Sequence, residues 1–267
     1  MTYQFIKLQC QGPVARLTLA RPDKHNAFNA EMIAEITGAL VTLGDRSDLS
    51  LLILDAEGKH FCAGADLAWM QSQARMSEAE NRADALQLAT LFDTLFHFPT
   101  PVLALVQGAA FGGALGLVAC ADIVLADARA RFCLSEVKLG LIPATIGPYV
   151  ARAIGQRQLR RYALSAEVID ADSALALGLV HQLCGDLEVA AEAMVTQLRH
   201  NGPDALRACK DLLLHLDDAP LDTALKQETA HRIATVRSSA EGQAGLAAFF
   251  AKRPAPWCPD DNHKDVS

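Results

Sequence analysis

Two short segments rich in small residues each follow a stretch typical of a buried strand. HFCAGADL (60–67) follows the apolar run 49–56, and GAAFGGAL (108–115) follows the apolar run 101–106. Small residues at such a point leave backbone N–H groups that a ligand can reach, and the second segment also opens a helix, whose first amides favour negative charge. Two such amides converging on one carbonyl oxygen would stabilise an enolate. The alternative is that both segments are tight turns with close helix packing.

A glutamate among apolar residues is the third candidate for chemistry. Glu136 lies in FCLSEVKLGLIP (132–143), where most neighbours are Leu, Ile, Val or Phe. Such surroundings disfavour the charged carboxylate and raise its pKa, which suits general acid/base catalysis. The alternative is a glutamate that points to solvent from a loop.

Strands and helices alternate along the part of the chain that must position these segments. Alternation of this kind predicts an α/β fold, and from about residue 201 onward the pattern is purely helical. The last residues, 258–267, are predicted to form a disordered tail. The predicted elements are strands at 14–22, 49–58, 101–106 and 122–132, helices at 30–44 and 77–98, and helices from Gly147 onward.

Composition excludes several classes of function. The net charge of −7 argues against nucleic-acid binding, although the basic run 157–161 is either a solvated helix face or a contact for phosphates. The seven cysteines are scattered and contain no C-x-x-C pair, so neither a disulfide framework nor a metal site is expected. The N-terminus does not resemble a signal peptide, and a cytoplasmic protein is expected.

A membrane-spanning segment and a histidine site are also disfavoured. Residues 94–121 contain no Asp, Glu, Lys or Arg, but Pro99, Pro101 and several glycines interrupt them, so a buried strand followed by a buried helix is expected. The eight histidines show no ligand spacing, and single ones such as His60 and His181 are expected to be surface or hydrogen-bonded structural residues.

Five motifs together resemble the enoyl-CoA hydratase/isomerase (crotonase) family, in order and spacing, from about residue 10 to 253. They are RPDKHNAFN, FCAGADL, GAAFGGALGL, CADIVLADARARFCLSEVKLGLIP and ALALGLV. The resemblance implies a crotonase-type spiral of β-β-α turns over residues 1–200 and a C-terminal helical oligomerisation region over residues 201–267. It also implies an acyl-CoA thioester substrate, no metal or other cofactor, and assembly into trimers or hexamers.

The resemblance also assigns expected roles to individual residues. Ala65 and Gly113 match the family's two oxyanion-hole amides, and Glu136 matches its second catalytic glutamate. Lys252 matches a basic residue near the CoA phosphates. The expected substrate-binding residues are completed by Lys24, His25, Asn26 and Ala27 for the adenine and ribose, and by Ala65, Asp66, Leu67 and Ala68 along the acyl-CoA.

One departure from the family pattern concerns the first catalytic glutamate, whose position holds Gly116. The motifs look most like hydratases of branched, carboxylated enoyl-CoAs such as methylglutaconyl-CoA and carboxygeranoyl-CoA, in leucine and terpene breakdown. On this view Gly116 opens space for a methyl branch, Lys138 is either a partner for the acidic tail or a surface residue, and Asp66 or a backbone group positions the water. The alternatives are a Δ3-Δ2 enoyl-CoA isomerase that uses Glu136, and a non-catalytic CoA-binding or RNA-binding protein.

Overall fold

A computed structural model describes residues 3–217 and 219–258, which form two β-sheets and a series of helices. The strands are β1 (Ile6–Gln11), β2 (Val14–Leu19), β3 (Leu51–Ala56), β4 (Val102–Val106), β5 (Ala109–Phe111), β6 (Ile123–Asp127), β7 (Arg131–Cys133), β8 (Ile169–Asp170) and β9 (Gln182–Cys184). The α-helices are α1 (Ala30–Gly44), α2 (Leu67–Gln73), α3 (Glu78–Phe96), α4 (Ala114–Cys120), α5 (Gly147–Ser165), α6 (Ala171–Leu177), α7 (Leu187–Arg199), α8 (Pro203–Leu216), α9 (Thr223–Ser238) and α10 (Ala240–Phe250). Two short 3-10 helices are Pro22–Lys24 and Glu136–Leu139.

The larger sheet has the strand order β1-β2-β3-β4-β6-β9. Only β1 and β2 pair antiparallel, and the other neighbours are parallel. β4 is buried along its whole length, as expected for a central strand of a parallel sheet that is covered on both faces. β2 alternates between buried and partly buried residues, as its sequence predicts.

The smaller sheet, β5-β7-β8, begins where strands of the larger sheet end. β5 starts a few residues after β4, and β7 starts a few residues after β6, so each passage bends from one sheet into the other. The prediction of a single strand over 122–132 is therefore wrong. Asp127 accepts hydrogen bonds from the amide of Arg129 through its carboxylate and from that of Ala130 through its carbonyl, and this turn ends the first strand. The repeated bend produces a spiral of β-β-α turns.

The long predicted helices are present, and their ends follow from their sequences. α1 spans the predicted 30–44 and is capped by Asn29, while α3 begins at a capping box formed by Ser77 and Glu80 and ends before Pro99. The predicted helix after Gly147 is interrupted at Gly155, whose φ of 78° lies in the left-handed region. The short elements β5 and α2 were not among the predicted ones.

Three helices, α8, α9 and α10, make up most of the described chain after residue 201. The division of the chain into a core and an oligomerisation region remains a prediction, as do the trimer and the hexamer. All but the first residue of the predicted tail lies outside the described residues. Within the described residues, no helix is both long enough and apolar enough to cross a membrane.

A buried ion pair joins α8 to the larger sheet. The Nζ of Lys210 lies 2.6 Å from a carboxylate oxygen of Asp122 and 3.2 Å from the carbonyl of Thr100, and the lysine side chain is only 7% exposed. The same carboxylate oxygen accepts the amide of Val102, the first residue of β4. A single carboxylate thus connects the starts of two central strands to a C-terminal helix.

Lys210→Ala should destabilise the protein strongly, because it leaves Asp122 partly buried beside an apolar gap. Loss of one partner of a buried ion pair costs about 3 kcal/mol, whereas loss of an exposed pair costs under about 1 kcal/mol. Urea unfolding of Lys210→Ala measures the first effect, and Arg161→Ala, which breaks the exposed pair with Glu167, is the control. Equal losses in the two variants would show that the Lys210 pair is not a structural connection.

Candidate functional site

Backbone pairing controls the direction of the Ala65 amide. Phe28 donates its N–H to the carbonyl of Gly64 and accepts the N–H of Asp66, each at 2.8 Å. The carbonyl of Gly64 and the N–H of Asp66 both face Phe28. The N–H of Ala65, which lies between them, therefore points to the opposite side, where Cys62 pairs with Ala110 of β5. Ala65 is exposed, and its amide has no acceptor among the described residues. This N–H is therefore open to a ligand.

The Gly113 amide lies at the start of α4, directly after β5. Gly112 donates its N–H to Cys133 of β7, while Gly113 is the N-cap residue, so its own N–H has no intrahelical acceptor. No described residue accepts this N–H. A Cβ at Gly113 would lie 3.3 Å from the ring of Phe28, the residue that orients Ala65. The structure thus brings both predicted amide donors to one phenylalanine, with Ala65 beside its backbone and Gly113 beside its ring.

Glu136 lies against the same turn. Its Oε1 is 3.5 Å from the position that a Cβ on Gly112 would occupy. Gly112 also has a φ of 54°, in the left-handed region that favours glycine. The other oxygen, Oε2, is buried and has no hydrogen-bond partner among the described residues. Burial raises the pKa of Glu136, as its apolar sequence predicts. A carboxylate with one unpartnered oxygen, next to the open amide of Gly113, can accept and return a proton.

A cationic groove of about 700 Å³ lies at the carboxyl ends of the parallel strands. Within the described residues, neither Lys59 nor Arg131 forms a salt bridge, whereas Arg129 is paired with Asp127. His60 contributes no charge, because burial and the neighbouring His25 and Lys59 lower its pKa. The groove therefore carries net positive charge and suits a polyanion. Its lining residues are His25, Gly58, Lys59, His60, Ala63, Gln107, Gly108, Ala109, Phe111, Asp127, Arg129 and Arg131.

Sequence reasoning identified most of the segments that line this groove but gave its cations no role. Arg129 and Arg131 lie within the motif CADIVLADARARFCLSEVKLGLIP, and Lys59 directly precedes HFCAGADL, yet none of the three was expected to bind the substrate. A basic residue such as Lys59, beside a predicted ligand-binding segment, is a signal that the sequence does contain. Arg129 lies in the turn between β6 and β7 and Arg131 begins β7, and the prediction of a single strand over 122–132 concealed this bend.

Part of the predicted CoA loop has a structural role instead. Asn26 is fully buried, and its amide group donates to the carbonyls of Glu57 and His60 and accepts the N–H of Arg21. Its side chain is therefore not available to a ligand, and a contact of Asn26 with CoA remains a prediction for its backbone alone. Ala27 is also buried, whereas Lys24 and His25 are exposed.

The Asp66 carboxylate is engaged in hydrogen bonds within the protein, and its expected role in positioning a water molecule remains a prediction. One oxygen accepts the amides of Ala68 and Trp69 at the start of α2, and the other lies 2.9 Å from Arg21. Burial opposes the charged form, but these hydrogen bonds outweigh it and lower the pKa of Asp66. The carboxylate thus anchors the segment that carries Ala65. Leu67 and Ala68, which follow it, are exposed.

The expected space at Gly116 is filled. A Cβ there would lie 2.5 Å from the ring of Phe92 and 2.6 Å from Cγ2 of Ile146, so the missing side chain leaves no room for a methyl branch. That expectation was wrong because it considered only the residue removed and not the side chains packed against it. Lys138 and Lys252 are exposed, and no described contact places either at the site.

The two histidines singled out in the sequence have structural roles. Nδ1 of His60 accepts the amide of Ala109, and Nδ1 of His181 accepts the amide of Val124. Both therefore hold backbone segments together, as expected for hydrogen-bonded structural histidines. In the described part of the chain, no cluster of three His, Cys, Asp or Glu side chains could hold a metal ion.

Comparison with known proteins identifies the family. The model of the enoyl-CoA hydratase/isomerase family matches residues 9–260. A crotonyl-CoA hydratase from Syntrophomonas wolfei is 30% identical over 259 residues, which cover 96% of this chain and 98% of that protein.

Solved structures show the same fold. An enoyl-CoA hydratase from Shewanella pealeana has a TM-score of 0.92 and 49% identity, and the match covers 95% of this chain and 96% of that chain. AtuE from Pseudomonas aeruginosa has a TM-score of 0.92 and 36% identity, and the match covers 96% and 100% of the two chains. The chain therefore belongs to the enoyl-CoA hydratase/isomerase family, and the predicted crotonase-type fold is confirmed.

Glu136→Gln should raise the melting temperature at about pH 8. Because folding raises the pKa of Glu136, the charged carboxylate costs stability above the folded pKa, and this cost disappears below the unfolded pKa. Glutamine carries no such cost, so the advantage of the variant should shrink as the pH falls to about 4. Thermal unfolding at both pH values measures the effect, with the exposed Glu192→Gln as the control. A lower melting temperature for Glu136→Gln at the higher pH would contradict this electrostatic account.

Proposed function

We propose that this protein is a hydratase that adds water across the double bond of a 2-enoyl-CoA thioester. The observation that carries the proposal is the placement of the Glu136 carboxylate, one oxygen of which is buried without a partner, against the turn next to the open amide of Gly113. The family and the crotonyl-CoA hydratase among its relatives agree with this reaction. The protein is accordingly a lyase.

Glu136 and the two amides divide the reaction between them. The carboxylate of Glu136 takes a proton from water as the water oxygen attacks C3, and the electron pair of the double bond moves into the thioester. The N–H groups of Ala65 and Gly113 donate to the resulting enolate oxygen. The protonated Glu136 then returns its proton to C2, which restores the thioester and leaves the hydroxyl on C3. Its raised pKa supports both halves of this cycle.

A Δ3-Δ2 isomerase is the second candidate, because one carboxylate can also move a proton between C4 and C2. Gly116 and the apolar side chains around it, Phe92 and Ile146, supply no second carboxylate at this point. The two reactions use the same enolate and the same oxyanion donors. They differ in whether a water molecule reaches C3, so the product distinguishes them.

The cationic groove supports coenzyme A as the carrier of the acyl group. CoA bears several phosphate charges, and Lys59 and Arg131 are cations without a salt-bridge partner in the described chain. Ala63 lines the groove and lies two residues before Ala65, so the groove leads to the proposed oxyanion donors. Lys24 and His25 extend this exposed surface, and the role expected of Lys252 depends on a neighbouring subunit in a trimer or hexamer.

The finer specificity for a branched, carboxylated acyl group rests on the motifs and on Lys138. This lysine is exposed on the 3-10 helix that begins with Glu136, and it forms no salt bridge with any described residue. A cation on the same short helix as Glu136 suits an acyl tail that carries a carboxylate. The filled space at Gly116 removes the other argument for a branched substrate.

The function is tested by following the conjugated thioester absorbance and the product mass with a panel of 2-enoyl-CoAs and 3-enoyl-CoAs. We expect loss of the absorbance and the mass gain of one water with at least one 2-enoyl-CoA. Glu136→Gln should reduce kcat by about 10²- to 10⁴-fold while remaining folded. Conversion of 3-enoyl-CoA to 2-enoyl-CoA without hydration would establish the isomerase instead.

Removal of cations from the groove should weaken CoA binding without affecting the chemical step. We expect Lys59→Ala and Arg131→Ala to raise KM for an enoyl-CoA by about tenfold, since charge-assisted hydrogen bonds contribute about 1.5–3 kcal/mol. KM for the matching pantetheine thioester, which lacks the nucleotide phosphates, should stay the same. The control is Lys226→Ala, which removes an exposed lysine of α9 that lies outside the groove. Equal KM changes for both thioesters would place the CoA phosphates elsewhere.

Lys138→Met tests the carboxylated substrate. The variant should lose about tenfold in kcat/KM for 3-methylglutaconyl-CoA and keep its kcat/KM for crotonyl-CoA, since only the former has a charged tail. Lys226→Met, an exposed lysine of α9, serves as the control. A wild-type enzyme that prefers crotonyl-CoA by tenfold, or a Lys138→Met variant with unchanged preference, would contradict the carboxylated-substrate proposal.

A further inference from the structure

Two buried side chains occupy the volume beside Gly116 that a side chain at this position would need. The ring atoms Cε1 and Cζ of Phe92 lie 2.5 and 2.6 Å from the position of a Cβ on Gly116, and Cγ2 of Ile146 lies at 2.6 Å. Both residues are essentially inaccessible to solvent. Any side chain at position 116, including a carboxylate, would collide with both of them.

This filled volume lies next to the groups that carry the proposed chemistry. The N–H of Gly116 donates to the carbonyl of Gly113 at 3.0 Å, so one helical turn separates Gly116 from the proposed amide donor. Glu136 and Ile146 stand at the two ends of a single loop, in which the amide of Leu141 bonds the carbonyl of Glu136. The loop that presents the carboxylate therefore also delivers Ile146 to the back of α4.

We propose that Phe92 and Ile146 are specificity-determining residues that close the acyl pocket behind the first turn of α4. This inference rests on the proposed function, since it places the acyl group beside Gly113 and Glu136. This wall is apolar and fully buried, so it closes the volume behind the helix both to water and to acyl atoms. It also excludes a second carboxylate and leaves Glu136 to handle both proton transfers.

The wall limits the size of the acyl group near C3. Ile146→Ala removes three carbon atoms from it and should admit a bulkier alkyl group. One methylene changes recognition in an apolar pocket by about tenfold or more. The matched control is Ile53→Ala, which removes the same atoms from a separate buried cluster formed by β3, β4, β6, β9 and α7. This control shares the loss of packing without a change beside Gly116.

Calorimetric binding of saturated thioesters tests the wall without requiring any reaction. The measurement is the Kd of butyryl-CoA and of 3,3-dimethylbutyryl-CoA with the wild type, Ile146→Ala and Ile53→Ala. We expect the ratio of the bulky Kd to the small Kd to fall by about tenfold in Ile146→Ala only. An unchanged ratio in Ile146→Ala, or an equal fall in the control, overturns the proposal while leaving the hydratase intact. Absence of acyl-CoA binding to the wild type would contradict both.

A double-mutant cycle checks the packing separately. Gly116→Ala should lower the melting temperature of the wild type, because its methyl group collides with the Phe92 ring. In the background of Phe92→Leu, which lacks the colliding ring atoms, the same substitution should lower the melting temperature less. Equal losses in the two backgrounds would show that Phe92 does not limit the volume at position 116, and would overturn its part in the wall.

Discussion

The two hydrogen bonds that Phe28 makes with Gly64 and Asp66 control the rest of the site. They hold the segment after β3 in a single register, and this register alone turns the Ala65 N–H away from Phe28 and toward β5. The ring of the same residue packs against Gly113 at the start of α4. One residue thus orients the first amide through its backbone and supports the second through its side chain.

Asp66 and Arg21 maintain this arrangement. The Asp66 carboxylate caps α2 and lies against Arg21, and Arg21 in turn donates to the carbonyl of Ala27, next to Phe28. The carboxylate therefore fixes the C-terminal end of the segment that carries Ala65. Glu136, a few residues beyond β7, is the opposite case, since one of its oxygens is buried without a partner. The protein satisfies the carboxylate that supports the site and leaves unsatisfied the one that we propose to react.

Local sequence signals predicted the parts of the fold that depend on a single segment. The continuous apolar runs gave β3 and β4, and Asn29 together with the helical spacing gave α1. The motifs placed Ala65, Gly113 and Glu136 in segments that the structure does bring together. Each of these signals is contained in a few consecutive residues.

The features that sequence reasoning missed depend on distant residues. The glycine at 116 gave no sign that Phe92 and Ile146 fill the space beside it, because they come from α3 and from the start of α5. The burial of Asn26 depends on carbonyls of a different turn of the spiral. The bend between β6 and β7 requires a second sheet to receive β7, and no periodicity within the segment indicates it.

The central claim is that the amides of Ala65 and Gly113 and the carboxylate of Glu136 act on one thioester. The most direct measurement is a crystal structure of the Glu136→Gln variant with an unreacted 2-enoyl-CoA bound. The account predicts that the thioester oxygen lies about 2.7–3.1 Å from both amide nitrogens, with C2 and C3 facing the side chain at position 136. A thioester oxygen bonded to neither amide, or an acyl chain directed away from position 136, would contradict it.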